Sequence, residues 1–413
     1  MTTTTEQSAT PALARRLGVL GAEGSFRVAA AARVLEGRGQ RVIHLEFGEP
    51  DFPAPPHVVE AAGRALREGD TKYAPPPGIA PLRAAIAQAA QARGVPATAE
   101  QVIVTSGAKP MLQYAVLAVV EDGDDVLVPD PGFPIYPSLV RLAGGTPRSY
   151  PIISRDGAYA LDLDALSHAI TPRARAIIVN SPHNPTGWVA SARELAAVAE
   201  LALRHNLWVI SDEIYDGLTY ADVAARSIAA IPGLAGRTLL VDGFSKRYAM
   251  TGFRLGFGIV PPSLAAHITT LVINNTSCAP HFVQRAGLAA LEGPQTCVSE
   301  FCETFRTRRD SFIPALGAVD GVAVPLPAGA FYAFADVRRA LRPHGLTAHA
   351  FADRLLNEFG VAVLPGTDFG DGGEGFLRYS FAAAPSALAE AVELTRQCVA
   401  SLGATNHPVG VAS

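Results

Sequence analysis

Residues 241–256 read VDGFSKRYAMTGFRLG, and this stretch contains one of the few lysines of the chain, Lys246. The apolar run 238–241 leads into this stretch, which is typical of a buried strand with Lys246 just past its end. Of the 34 lysines and arginines, only Lys72, Lys109 and Lys246 are lysines. A lysine can lose its proton and attack a carbonyl, which a guanidinium cannot do. The context therefore predicts Lys246 as a nucleophilic amine rather than a surface lysine.

Three further polar segments follow strand-like runs: TSGAK at 105–109, NSPHNPTG at 180–187 and SDEIY at 211–215. Strands and helices alternate between residues 101 and 256, which predicts an α/β fold with a mostly parallel sheet covered by helices on both faces. Such sheets bind ligands beyond the carboxyl ends of their strands, where these segments are expected to lie. The predicted strands are 102–105, 125–129, 176–180, 207–211, 238–244 and 256–259, with helices at 110–120, 192–205 and 262–274.

The pattern changes after about residue 293. A long helix over 295–316 is followed by the strand-like segments 323–325, 330–334, 361–364 and 375–380 and by helices at 347–359 and 386–401. This mixture predicts a second, smaller α+β domain. The predicted organisation is a flexible N-terminus over 1–12, an N-terminal segment over 13–48, a large domain over 49–293, a small domain over 294–403 and a flexible tail over 404–413.

Composition argues against several classes of function. The net charge is −4 without any basic run, so nucleic acid is not an expected partner. Four cysteines without metal-ligand spacing predict reduced thiols in a cytoplasmic protein and no metal site. The N-terminus lacks the features of a signal peptide, and no apolar run is long enough to predict a membrane span.

Taken in order, the motifs resemble those of the class I/II aminotransferases, pyridoxal-phosphate enzymes of fold type I. The nearest set is that of bacterial aspartate aminotransferases: GEPDF at 48–52, TKYAPPPG at 71–78, then NSPHNPTG, SDEIY and AMTGFRLG at 249–256. The resemblance implies a seven-stranded, mostly parallel sheet sandwiched by helices, with the N-terminal segment packed on the small domain. It also implies transfer of an α-amino group to a 2-keto acid through a Schiff base on Lys246.

The same resemblance assigns roles to individual residues. Lys246, Asp212 and Tyr215 are implied to be catalytic, with Asp212 facing the pyridine nitrogen of pyridoxal 5'-phosphate. The implied cofactor-binding residues are Ser106, Gly107, Ala108, Lys109, Phe133, Asn184, Asp212, Tyr215, Ser245, Lys246 and Arg254, with Tyr73 reaching in from the other subunit of a homodimer. Substrate binding is implied for Gly48, Asn184, Lys109, Glu23 and Arg378, the last through the α-carboxylate.

Several of these residues also have a plainer interpretation. Gly107 would also fit an ordinary strand-to-helix turn. Asp212 could be a solvated loop carboxylate, and Phe133 and Tyr215 could be aromatic residues of an apolar core. Asn184 before a proline is typical of a turn. The ordered set of motifs favours the functional interpretation over these.

Substrate preference is where the sequence departs from its nearest relatives. The counterpart of Lys109 in aspartate aminotransferases helps to bind a distal carboxylate, and Glu23 and Glu46 are expected near that place here. Because carboxylates repel one another, the sequence predicts a neutral or cationic donor instead of aspartate or glutamate.

Two other classes of function remain open at this point. One is elimination, replacement, cyclisation or carbon–carbon bond formation on an amino acid such as S-adenosylmethionine, because these reactions share the same motifs. The other is a non-catalytic aminotransferase-like sensor module, which the short, non-basic N-terminal segment disfavours.

Overall fold

The computed structural model describes residues 12–21, 23–220 and 225–404. The ends predicted to be flexible, 1–12 and 404–413, fall almost wholly outside these ranges. The strands are β1 (Ile43–His44), β2 (Val102–Thr105), β3 (Asp125–Asp130), β4 (Thr146–Arg155), β5 (Ala158–Leu161), β6 (Ala174–Asn180), β7 (Trp208–Asp212), β8 (Thr238–Gly243), β9 (Gly256–Ile259), β10 (Tyr332–Asp336), β11 (Val361–Ala362), β12 (Leu364–Pro365) and β13 (Phe376–Ser380).

The α-helices connect and cover these strands. They are α1 (Gly24–Glu36), α2 (Pro56–Arg67), α3 (Ala80–Ala92), α4 (Ala108–Val119), α5 (Ile135–Leu142), α6 (Leu163–Ala169), α7 (Ala192–Arg204), α8 (Pro262–Asn275), α9 (His281–Glu292), α10 (Thr296–Gly317), α11 (Arg338–Leu341), α12 (Ala348–Phe359) and α13 (Pro385–Ala404). Their ends carry recognisable signals: the Ser191 hydroxyl caps α7 at Glu194 N, and Glu194 returns the bond to Ser191 N.

A single large sheet dominates the described residues. Its strand order is β2-β9-β8-β7-β6-β3-β4-β5, and the five strands from β8 to β4 are parallel. The predicted α/β fold with a mostly parallel sheet is therefore confirmed. The sheet has eight strands instead of the seven expected, and its edge is a β4–β5 hairpin. Pro147 and Pro151 within β4 hid this edge from the sequence pattern.

Alternating side chains on the inner strands pack against helices on both faces. In β8, Leu240 faces a cluster that includes residues of α3 and α9, while Leu239 and Val241 face α4 and α8. Leu239, Leu240 and Val241 are all buried, which explains why these strands appear as continuous apolar runs in the sequence. Burial on both faces fixes the register of the strands and therefore the position of the segments that follow them.

Two smaller sheets lie outside the large one. One is the antiparallel set β10-β13-β12, and the other is the parallel pair β1–β11, in which Ile43 lies opposite Val361. The segment predicted as a strand over 323–325 forms only an isolated bridge from Ala323 to Asp336. No helix of the described ranges is long and apolar enough to cross a membrane.

Candidate active site

The predicted site segments gather at one edge of the large sheet. The parallel strands β8, β7, β6 and β3 all end there, and β2 runs in the same direction because it is antiparallel to β9, which is antiparallel to β8. This edge brings together the segments that carry Lys246, Asp212, Asn184, Phe133 and Gly107.

Lys246 lies three residues beyond the end of β8, and its Nζ donates a hydrogen bond to the backbone oxygen of Gly48. Burial lowers the pKa of this amine to about 8, and the charges of Arg254 and Arg378 act in the same direction against that of Glu49. A substantial fraction of the amine is therefore neutral near pH 8, which is the form that attacks a carbonyl.

We expect competitive acetylation of the cofactor-free protein to label Lys246 with a midpoint near pH 8, because only the neutral amine reacts. The chain has an internal control in Lys72, which is exposed on its loop. Peptide mapping across pH 6–11 measures both lysines in one sample. If Lys246 titrates together with or above Lys72, the buried environment described here is incorrect.

Asp212 is the last residue of β7 and is 3% exposed. Its Oδ2 accepts a hydrogen bond of 2.7 Å from Tyr136 Oη, and its Oδ1 accepts one of 3.2 Å from the backbone N–H of Ile214. Burial raises the pKa of this carboxyl to about 6, although both hydrogen bonds and the charge of Lys246 oppose the rise. A buried carboxylate of this kind is well suited to a protonated ring nitrogen.

Glycines and Arg254 form a cradle at the start of α4. A Cβ on Gly107 would lie 2.4 Å from Arg254 Nη2, and one on Gly256 would lie 2.4 Å from Ala108 N. Within the described residues, the hydroxyls of Ser106 and Ser245 have no protein hydrogen-bond partner. A helix N-terminus, a guanidinium and two free hydroxyls together make a site for a phosphate dianion.

Arg378 lies on β13 and is 4% exposed. Its Nη1 donates 3.1 Å to Asn184 Oδ1, and its Nη2 donates to the backbone oxygen of Glu46. Its Nε has no partner, and it forms no ion pair with any described residue. A buried guanidinium without a carboxylate is costly, so this side chain is suited to receive one from a ligand.

Tyr332 on β10 is a site residue that the sequence did not reveal. Its hydroxyl lies 2.7 Å from that of Tyr215, and its ring lies 4.5 Å from Arg378 Cζ. A Cβ on Gly48 would be 1.9 Å from this hydroxyl, so only glycine fits beside it. The segment 330–334 was predicted only as a strand-like segment of the small domain, and nothing in it indicated these contacts.

Tyr136 and Asn180 were missed as well. Asn180 Nδ2 donates to the backbone oxygens of Pro182 and Asp212, while its Oδ1 accepts from Asn184 N, so this one amide joins two site segments. Nothing in the sequence around Tyr136 indicated its hydrogen bond to Asp212, which is 76 positions away.

Lys109, which follows Ala108 in α4, contacts both Glu23 and Phe133. Lys109 Nζ makes an ion pair with Glu23 Oε1 and lies 5.5 Å from the centre of the Phe133 ring. The expectation that Glu46 also faces Lys109 is wrong. The Glu46 carboxylate is buried against His44 Nδ1 at 2.8 Å, because residues two apart in an extended segment share a face.

Tyr73 does not join the other site residues within this chain. Its side chain is 86% exposed on the loop between α2 and α3. The surface beside it is a groove of about 620 Å³ that includes Asp70, His281 and Phe282.

The residues present fit pyridoxal phosphate. Gly107 and Gly256 leave the space for a phosphate, Asp212 can face a ring nitrogen, and the partnerless Arg378 Nε can serve a substrate carboxylate. In the described ranges, no group of three His, Cys, Asp or Glu side chains is arranged to hold a metal ion.

Comparison with known proteins gives a consistent result. The sequence model of the family "Aminotransferase class I and II" matches residues 40–393. The chain is 37% identical to the aspartate aminotransferase of Geobacillus stearothermophilus over 92% of this chain and 97% of that protein. It is also 37% identical to an arginine–pyruvate transaminase of Pseudomonas aeruginosa over 90% and 93%.

Among solved structures, the aspartate aminotransferase of Rhizobium meliloti matches with a TM-score of 0.89 and 34% identity, covering 95% of this chain and 99% of that one. None of these relatives is named for elimination, cyclisation or sensing, so those alternatives are not favoured. The chain therefore belongs to the class I and II aminotransferases and is a pyridoxal-phosphate-dependent enzyme that transfers amino groups.

Proposed function

We propose that this enzyme transfers the amino group of a neutral or cationic amino acid, with Lys246 as the amine that holds the cofactor and moves the substrate proton. Pyridoxal phosphate, when bound, supplies an aldehyde that amines can join and a ring that accepts electrons. The proposal for the donor rests on the ion pair between Lys109 and Glu23.

The proposed roles of the chain's residues follow from their positions. Lys246 Nζ, neutral at alkaline pH, takes the proton from the substrate Cα and then carries it as an ammonium, from which the proton can be delivered again. Asp212 keeps a proton on the ring nitrogen by presenting a buried negative charge. Arg378 orients the substrate through its α-carboxylate, and Tyr215 and Asn184 would hold the oxygen substituent on the ring of the cofactor.

The proposed donor preference follows from the charges around Lys109. A distal carboxylate would have to displace Glu23 from Lys109 before it could bind. A second carboxylate lies close by, because a Cβ on Gly24 would be 1.7 Å from Asp368 Oδ2. Asp368 is paired with Arg27 at 3.2 Å, and Glu23 is paired with Lys109, so neither cation is free to receive a distal carboxylate. A neutral or cationic substrate side chain binds without displacing either ion pair.

We expect Glu23→Ser to raise kcat/KM for aspartate about 5-fold relative to that for a neutral donor, since a partly exposed ion pair contributes up to about 1 kcal/mol. Steady-state kinetics with aspartate, leucine, lysine and arginine measure the preference. Glu36→Ser is the matched control, because Glu36 lies on the same α1 but contacts His44. If aspartate is the best donor of the wild-type enzyme, the proposed preference is wrong.

We also propose a homodimer in which Tyr73 serves the partner's active site. The support is its 86% exposure on a proline-rich loop beside a groove. If each active site contains residues from both subunits, a variant residue in one subunit can be compensated by the intact residue of its partner.

Mixed dimers of Lys246→Ala and Tyr73→Ala test this arrangement. In the mixed dimer, the subunit that keeps Lys246 receives Tyr73 from its partner, so one of its two sites is complete. Random mixing should restore about a quarter of wild-type activity, because half of the dimers are mixed. No recovery above the parent variants would mean that Tyr73 acts within its own subunit or not at all.

The domain division and location remain proposals as well. We propose a large domain over 49–293 and a small one over 294–403, with 13–48 packed on the small domain. The pairing of β1 with β11 supports this division. A cytoplasmic location is proposed from the four free cysteines.

A further inference from the structure

Five charged side chains lie behind the strand ends that carry Asp212 and Lys246, and the proposed mechanism uses none of them. They form what we name the Arg93 cluster: Arg93, Glu213, Asp216, Asp242 and Arg247. The three carboxylate residues are buried. Each carboxylate belongs to a segment that carries a proposed catalytic residue: Glu213 follows Asp212, Asp216 follows Tyr215, and Asp242 lies four residues before Lys246.

The contacts of Arg93 join the two segments. Its Nη2 pairs with Glu213 Oε2 and its Nη1 with Asp216 Oδ2, both in the segment after β7. The same Nη1 lies 3.8 Å from Asp242 Oδ2 in β8. A planar guanidinium can hold two carboxylates in fixed directions, which a lysine cannot do.

Arg247 adds a second connection between the same segments. It follows Lys246 directly, its Nε donates 3.1 Å to the backbone oxygen of Asp216, and its Nη2 pairs with the Asp216 carboxylate. The backbone of the catalytic lysine is thereby tied to the residue after Tyr215.

The cluster lies on the sheet face opposite to the Asp212 side chain. Successive side chains of a strand alternate, so Glu213 and Asp242 face away from the side on which Asp212 accepts the Tyr136 hydroxyl. Glu213 is held further by the hydroxyls of Ser211 and Ser227, at 2.9 and 2.6 Å from its Oε1. The cluster therefore does not touch the ligand space and acts through the backbone.

The charges of the cluster are close to balanced. Burial raises the pKa of Asp242 to about 8, although the charge of Arg93 and the Gly243 N–H oppose the rise. The guanidinium groups of Arg93 and Arg247 face the carboxylates of Glu213 and Asp216, and Asp242 is a weaker partner of Arg93 at 3.8 Å. Removal of Arg93 therefore takes from Glu213 its ion-pair partner, and it takes from Asp216 one of the two guanidinium groups that connect it to the segment of Lys246.

We infer that Arg93 is a positioning residue, which clamps the segment of Asp212 and Tyr215 to the segment of Lys246 and so holds the reacting groups in alignment. The inference rests on the proposed roles of those three residues. Small misplacements of reacting groups can lower the rate up to about 100-fold. A loss of alignment should therefore lower kcat, whereas a loss of substrate contacts should raise KM.

The test is Arg93→Gln, measured as the holoenzyme and also without cofactor. We expect kcat to fall about 10- to 100-fold while KM changes less than about 3-fold. In the cofactor-free protein, hydrogen exchange by mass spectrometry should accelerate in peptides covering 212–217 and 242–248. The matched control is Arg237→Gln, because Arg237 bonds the backbone oxygens of Ala202 and Leu207 near the opposite ends of the same strands.

The outcomes separate clearly. A kcat within 2-fold of wild type, or an equal loss in Arg237→Gln, would overturn the inference. If Arg93→Gln does not fold, Arg93→Lys replaces it, because one ammonium cannot hold both carboxylates. An unchanged kcat in Arg93→Lys overturns the inference equally.

Borohydride labelling of the wild type shows whether the proposed function or the clamp has failed. Label away from Lys246 refutes the proposed function, whereas label on Lys246 with an unaffected Arg93→Gln refutes the clamp alone.

Discussion

Replacement of Lys246 by alanine is expected to lower kcat below about 10⁻⁴ of the wild-type value while the protein stays folded. General base catalysis alone contributes about 10²–10⁴-fold, and the same amine is proposed to hold the cofactor. Its only hydrogen bond in the described residues goes to the backbone oxygen of Gly48, so its loss removes little structure.

Activity assays measure the loss of turnover, and thermal unfolding shows whether the protein stays folded. Chemical trapping identifies the lysine that holds the cofactor. Borohydride reduction of the wild-type holoenzyme followed by peptide mapping should place the cofactor on Lys246. The control variant is Lys72→Ala, which removes an exposed lysine and should retain full cofactor labelling. Label on Lys72 or Lys109, or turnover in Lys246→Ala above about 1% of wild type, would end the assignment.

The sequence predicted the central architecture because its strands are buried on both faces. Strands β2, β7, β8 and β9 lie within one or two residues of the predicted ranges, since continuous apolar runs bounded by glycine or polar residues identify them. The edge strands β4 and β5 were missed, because β4 contains prolines and half-exposed residues that break the pattern. Helix α9, His281–Glu292, was also missed, and most of its buried positions are alanine or glycine: Ala286, Gly287 and Ala290.

The candidate site was predictable only where its residues occur in local motifs. Lys246, Asp212, Asn184 and Gly107 each follow a strand within a recognisable segment, and the common end of those strands brings the segments together. Tyr332, by contrast, contacts Tyr215 across 117 positions of the chain. No local pattern can reveal a pairing at that separation.

The direction of single side chains was the other limit. The sequence predicted that Glu23 and Glu46 both lie near Lys109 in the folded protein, yet only Glu23 contacts it. Glu46 turns to His44 because alternation along an extended segment gives them the same face. The substrate prediction consequently rests on Glu23, with Asp368 as a second carboxylate that the sequence did not indicate.

Replacement of Arg378 by leucine is expected to lower kcat/KM for amino acids about 30- to 4,000-fold. The reason is that a buried charge pair contributes about 2–5 kcal/mol when one partner is removed. Arg378 is buried, its Nε has no partner, and its guanidinium lies 4.5 Å from the Tyr332 ring and 4.9 Å from the Phe369 ring. A substrate carboxylate supplies both the missing charge and the missing acceptor, and Asn184 holds the guanidinium in place for it.

A substrate without a carboxylate provides the matched control. The amine that corresponds to the best donor lacks the group that Arg378 is proposed to bind, so its slow turnover should change less than about 3-fold in Arg378→Leu. Arg378→Lys keeps the charge but loses the fork, and it should fall between wild type and Arg378→Leu. Initial rates for the three enzymes with the amino acid and its amine complete the comparison. Equal losses on both substrates would mean that Arg378 supports the fold of the site, through Asn184 and the Glu46 backbone, and does not bind the carboxylate.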